Sequence, residues 1–393
     1  MNYRDRILRK IAGENDGVPL FVPRLDIWYN ANRSRGTLPA GYEDLDLLGI
    51  ANRLGVGYHS VIPDFIRNGP VEDLYHRGLG FYNNGEYVYQ ADFTAVDFSV
   101  EKTDEEIITT YHCSDGNIRT KVRYNQKVLE SGVTLPVITE HAIKEHDDYL
   151  RCAEIFSRVK IRPVPDQFLP YRNRVGDAGL PVAYLSLACG PMQHILRDLR
   201  EYQPFIFDMY DIPDLIAEMC EPLGSLYDDM LNTFVISEGQ VGLFGGNYDD
   251  TLTYRPFFDE YILPWLSKAA EQFHAAGKYL LTHTDGENEA LNESYLQGRF
   301  DIADSVCPAP MTKLTLEEYR EIYGTGITIW GGIPSVITLA SSCPYDDFKA
   351  YIDRIFESCR PYNNLIFSIA DTTPADADFG RIEYIRDKAL GVI

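Results

Sequence analysis

Residues 278–287 read Lys-Tyr-Leu-Leu-Thr-His-Thr-Asp-Gly-Glu. A short apolar run gives way to a histidine and two carboxylates arranged around a glycine. The run reads as an apolar strand that delivers these groups on a turn. Upstream, residues 256–276 carry a helical pattern opened by a proline; downstream, 302–306 is another short apolar strand. From residue 139 onward the same order of helix, strand and polar turn recurs, with strands expected at 181–188, 239–244, 278–282, 302–306, 326–330 and 365–369. Helices are expected at 213–234, 256–276, 315–323 and 345–359. This alternation is the pattern of β/α units built on a parallel sheet.

Toward the N-terminus, a basic helical arm at 3–13 leads through Pro19 into the apolar run 20–29, which reads as a first strand. Within 87–133 the texture changes to short alternating stretches at 86–98, 106–113 and 118–124, with turn residues at 114–117. An antiparallel insertion, spanning about 86–135 and laid on or beside the main sheet, is expected there. Barrels with insertions commonly occupy 393 residues as one unit, so residues 1–393 are expected to form a single domain.

Charge and composition exclude several function classes. Thirty-six basic against 59 acidic residues give a net charge of −23, which argues against nucleic-acid or anionic-membrane partners, since binding phosphates needs clustered Lys and Arg. The polar stretch 1–16 lacks the apolar core of a secretory signal, and a cytoplasmic protein is expected. Seven scattered cysteines (113, 152, 189, 220, 307, 343 and 359) form no C-x-x-C pair, so neither a disulfide framework nor a zinc ribbon is indicated.

In a barrel, chemistry collects where the strands end at their C-termini. The residues there are polar: 189–191, 245–250, 283–287, 307–308, 331–334 and 370–372. His283 with Asp285 puts an imidazole and an anion on one side of an extended segment, suited to a divalent metal or an acid/base pair; the alternative is a histidine satisfying its own turn. Cys307 and Asp371, each following a strand, are further candidate ligands, and Cys307 is otherwise an inert buried thiol. In the loop 245–250, Asn247 and Asp249 could orient a substrate, or Asp249 simply starts the next helix. Asp249 and Glu287 are the candidate catalytic carboxylates. Trp28, Tyr29, Arg33 and Arg35 are expected in one loop after the first strand, as aromatic walls and carboxylate clamps, with Tyr58, His59 and Tyr184 as weaker pocket candidates.

Taken in order, several stretches resemble the uroporphyrinogen decarboxylase superfamily, a group of (β/α) barrels that includes the decarboxylase and corrinoid-dependent methyltransferases. They are 29–42 with its Thr37-Leu38-Pro39, Ser186 to Pro191, 256–265, 274–278 running into His283, and 324–337 with Trp330 to Pro334. The resemblance implies a (β/α)8 barrel of the TIM type with an antiparallel β insertion in its N-terminal third. The methyltransferase branch carries a His-x-Cys zinc motif with a distant second Cys; the matching positions here are His283, Asp285 and Asp371. Oxygen ligands in place of thiolates would make a harder Lewis acid, suited to activating an ether oxygen.

The function expected from this resemblance is a zinc-dependent methyltransferase. It would take a methyl group from a small donor, a methoxylated aromatic for example, and pass it to the cob(I)alamin of a separate corrinoid protein. His283, Asp285, Cys307 and Asp371 form the expected ligand pool, and a homodimer is compatible with it. A dedicated Asp-x-His-x-x-Gly cobalamin motif is not found in the sequence. Two rivals stay open: a metal-independent decarboxylase of a carboxylated pyrrole-like substrate, and a non-catalytic barrel subunit.

Overall fold

The computed structural model describes residues 1–14, 17–60, 70–133 and 135–393. Residues 15 and 16 of the polar N-terminal stretch and residue 134 of the expected insertion lie outside the described residues. Twelve strands occur among the described residues. They are β1 (Tyr89–Asp92), β2 (Phe98–Lys102), β3 (Glu106–Cys113), β4 (Gly116–Arg123), β5 (Val137–Glu140), β6 (Lys160–Pro163), β7 (Val182–Ser186), β8 (Val241–Gly246), β9 (Tyr279–His283), β10 (Ile302–Val306), β11 (Thr328–Pro334) and β12 (Leu365–Ala370).

The fold is mixed α/β. β7 to β12 form a six-stranded parallel sheet in sequence order, each strand followed by helical segments. Every residue of β8, β10, β11 and β12 is buried, which explains their continuous apolar reading. At the β12 edge, Phe21 makes a single parallel bridge to Phe367, and Gly57 N–H donates to the Phe21 carbonyl at 3.1 Å. At the β7 edge, Tyr58 bridges Gly179 and Val182 N–H donates to the Ser60 carbonyl at 3.1 Å. These contacts are isolated bridges, and the continuous ladder comprises six strands.

The apolar run 20–29 does not form one strand. Its first half is extended, but Asp26–Arg35 is a helix that Gly36 ends in the left-handed conformation. Asp26 in the first turn and Arg33 and Arg35 in the last suit the helix dipole. The helices expected at 213–234 and 345–359 are observed at Pro213–Ile236 and Tyr345–Ser358. Leu316–Tyr323 opens with a capping box in which Thr315 and Glu318 satisfy each other's backbone N–H.

The insertion is antiparallel, as its alternation implies, and reaches beyond its expected limit. β2 to β5 form a four-stranded sheet in sequence order, while β1 leaves it to pair with β6 at 160–163. His76 anchors the insertion, stacked on Phe93 at 3.6 Å with its Nδ1 3.0 Å from the Tyr111 hydroxyl. Burial lowers its pKa from 6.5 to about 3, so between those limits the unfolded chain binds a proton that the folded chain rejects. The stability contributed is present above pH 6.5 and is lost as pH falls toward 3. Between pH 7 and pH 5 the protein is expected to lose about 2 kcal/mol more than a His76→Phe variant, measured by urea unfolding. Equal losses in the two proteins would contradict this.

Candidate metal centre

The parallel register places the site. His283 ends β9 directly opposite Asp304 in β10, and the two side chains meet with Nδ1 2.7 Å from Oδ2. Gly246, at the end of β8, pairs with His283 on the other side. A Cβ at Gly246 would lie 2.8 Å from that of His283, so the close approach of the two strand ends needs glycine there. After Asp304, β10 bulges: Ser305 adopts φ 62°, and its hydroxyl donates to the Asp371 carbonyl at 2.9 Å, tying down the loop that leaves β12. The second ring nitrogen, Nε2 of His283, consequently faces Asp371 Oδ1 at 3.0 Å.

His283, Asp285 and Asp371 each offer a ligand atom, and these atoms lie within 4.8 Å of one another. Cys307 stands beside this group, its sulfur 3.4 Å from Asp285 Oδ1 and 3.3 Å from the Ser305 carbonyl. Arg24 reaches in from the extended segment before the helix Asp26–Arg35, 3.1 Å from Asp371 and 3.3 Å from Asp26. His59 Nε2 lies 3.4 Å from the other oxygen of Asp304. Asn247 donates to Asp285 at 3.5 Å and accepts from Arg197 at 2.9 Å.

Electrostatics follow from this packing. Burial works against a charged His283, but Asp371 and Asp304 outweigh it and push its pKa up to about 10. Burial likewise opposes charge on Asp304, yet the bonds from His283 and His59 hold it well below the usual carboxylate range. Asp371 is held low against burial by Arg24 and His283. Asp285, by contrast, is raised by burial and by the Asp371 charge. Burial and the adjacent carboxylates push the Cys307 thiol up as well. Three carboxylates (Asp26, Asp304 and Asp371) thus gather around one permanent cation, Arg24, and Asp285 stands beside Asp371, an arrangement that favours a further positive charge.

Other expected residues stand elsewhere. Trp28 and Tyr29 lie on the helix rather than in a loop, both 2% exposed, and Trp28 stacks on Phe379 at 5.4 Å. Arg33 and Arg35 end that helix, where Arg33 bonds the Tyr29 hydroxyl and Arg35 pairs with Asp376. Tyr58 belongs to the core; because alternate residues of an extended segment face opposite ways, His59 reaches Asp304 and Tyr58 is directed away from it. Tyr184 is in β7, stacked with Tyr87 at 4.8 Å, and with Tyr82 it lines a small space beside Arg197.

Two of the candidate carboxylates staple loops. Asp249 accepts from the Thr251 and Leu252 N–H groups at 2.8 and 3.2 Å, an Asx-type turn. Glu287 accepts from the N–H groups of Glu289 at 3.1 Å and Lys313 at 2.9 Å. Asp304 and Arg24 were not singled out in the sequence, although a carboxylate inside the apolar strand 302–306 is a signal in itself, since buried charges need partners.

Neither a protein-family model nor a curated protein sequence matches this chain. Among solved structures, a methyltransferase from Methanosarcina mazei superposes on it with a TM-score of 0.53. That match covers 100% of this chain and 99% of the other at 13% identity, a likeness of fold. Among the described residues, no helix is long and apolar enough to cross a membrane.

Proposed function

We propose that this chain is a zinc-dependent methyltransferase that moves a methyl group from a small donor, of which a methoxylated aromatic is the leading candidate, to the cob(I)alamin of a separate corrinoid protein. The observation that carries this reading is the convergence of His283 Nε2 with the Asp285 and Asp371 carboxylates at the C-terminal ends of β9 and β12, two parallel strands of one sheet. The fold likeness to a methyltransferase supports it. On this reading the edge segments 20–22 and 56–60 act as the two remaining staves of a (β/α)8 barrel whose mouth holds the site.

The donor set fits zinc. One imidazole and two carboxylates make the three protein ligands of an open catalytic site, and Cys307, its sulfur 3.4 Å from Asp285 Oδ1, would be a fourth, soft donor. Bound there, the metal would supply Lewis acidity toward the heteroatom that carries the methyl group. The protein's own groups do the positioning. Asp304 accepts the Nδ1 proton of His283 and so aims Nε2 into the site. Asn247, held by Arg197, steadies Asp285. Arg24 does the same for Asp371 and keeps that carboxylate ionised.

Chelator-treated protein should take up one zinc per chain, and loss of the cob(I)alamin absorption with a methoxylated benzoate as donor should track occupancy. An active metal-free protein, or one with no affinity for zinc, would sink the reading. Carbon dioxide released from a carboxylated pyrrole by metal-free protein would favour a decarboxylase instead. Asp304→Asn, which loses the anionic partner of Nδ1, is expected to weaken zinc binding by about 10–100-fold in a competition titration. An unchanged affinity would show that Asp304 does not orient the ligand.

A further inference from the structure

From residue 201 to 254 the sequence contains 11 Asp and Glu and no Lys, Arg or His. That stretch supplies the helices Tyr202–Asp211 and Pro213–Ile236, and the surface they share with 258–265 is not a plain solvated face. An open groove of about 500 Å³ runs there, walled by Met192, Met209, Cys220, Tyr261 and Trp265. The helix that supplies Met209 also carries Phe207 and Tyr210, 62% and 76% exposed, and the Tyr254 phenol lies next to that of Tyr210. Glu221 and Glu260 line the rim, and neither is ion-paired among the described residues. Lys268, over the Trp265 ring, is bound to Asp228.

An open apolar groove on an element that also exposes large aromatic side chains marks an interaction site. Charge selects the occupant. A second copy of this chain would bring a net charge of −23 against an acidic rim, and an anionic bilayer would be repelled in the same way. We infer that this groove docks a partner protein through an amphipathic segment whose apolar side chains enter between Met209 and Trp265 and whose flanking Lys or Arg meet Glu221 and Glu260. Helix-in-groove recognition uses this division, with apolar anchors supplying affinity and charge supplying specificity and rate. The groove shares no lining residue with the proposed metal centre, and docking there does not depend on the function proposed above.

The full chain carries its own reporter. Trp28 and Trp330 are 2% and 0% exposed, whereas Trp265 lines the groove, so its fluorescence follows occupancy. The probes are an amphipathic leucine–lysine peptide and its leucine–glutamate twin. The lysine peptide is expected to saturate the Trp265 signal, with affinity falling as salt rises, and the glutamate twin to bind at least tenfold more weakly. Ala217→Phe, which fills the groove from an exposed position, and the double variant E221K/E260K should each weaken the lysine peptide at least tenfold. The equally charged double variant E357K/D376K, at exposed positions outside the groove, should leave it within twofold. Three results would overturn the inference: similar binding of both peptides, similar losses in both charge variants, or a larger Trp265 response to phosphatidylglycerol vesicles. Because E221K/E260K alters only exposed side chains, a folding failure of Ala217→Phe leaves the test intact.

Discussion

On the proposed function, His283→Ala is expected to empty the proposed metal centre and lower methyl transfer by on the order of 10³, beyond the ~10–100-fold effect of removing the Asp304 hydrogen bond. Three consequences of the substitution act together. The nitrogen ligand disappears, leaving two carboxylates that bind a divalent ion loosely in competition with water. Asp304 loses its 2.7 Å partner and is left with two longer contacts, to His59 and to the Ser305 hydroxyl, each at 3.4 Å. Asp371 loses a 3.0 Å contact and is left to Arg24. The last two changes cost stability, about 1–3 kcal/mol for a buried acceptor deprived of its donor, so inactivity alone would be ambiguous. Added imidazole resolves it. The deletion leaves a ring-sized space beside Asp304, and free imidazole is expected to restore part of both zinc binding and turnover. A folded variant that keeps one zinc per chain and normal turnover would remove His283 from the site.

Arg24→Met is expected to give the largest loss of stability of any single change near the site, about 3 kcal/mol in metal-free protein. The guanidinium is one-tenth exposed and bonds two carboxylates, so its removal strands Asp26 and Asp371 beside Asp304. Methionine keeps much of the volume and isolates the charge effect. Zinc should reverse part of the loss, because a divalent ion at Asp371 supplies the positive charge that Arg24 no longer provides. The variant is therefore expected to unfold at a much lower temperature than the parent without zinc and closer to it with zinc. An equal difference in both forms would mean that Asp371 does not share its charge between the arginine and a metal.

Much of the sheet was legible because its strands are buried on both faces and read as short apolar runs. The strand expected at 302–306 is β10 itself, and the others are off by a few residues at their ends. The polar residues that follow them include three that do converge, His283, Asp285 and Asp371, since the parallel register fixes where strand ends lie. The N-terminal region was misread for a definite reason. In 20–29 an extended segment and the first turn of a helix form one apolar run, and period alone does not divide it. Trp28, Tyr29, Arg33 and Arg35 were thereby expected in a loop, whereas a helix carries them.

Arg24 and Asp371 meet across 347 positions of sequence, a contact no local pattern reveals. Asp304 was hidden differently. Inside a strand it looks like a break in apolarity, and only the register opposite His283 makes it a partner. Asp249 and Glu287 have the residue type of catalytic groups and the hydrogen bonds of turn formers, a distinction that rests on backbone N–H groups nearby.

The central claim is that one zinc ion is held by His283, Asp285 and Asp371. Diffraction from zinc-soaked crystals, recorded on both sides of the zinc absorption edge, tests it most directly. A single strong anomalous peak is expected among His283 Nε2 and the two carboxylates, with the Nδ1 bond to Asp304 retained. A map with no peak there, and with His283 Nε2 still bonded to Asp371, would contradict it.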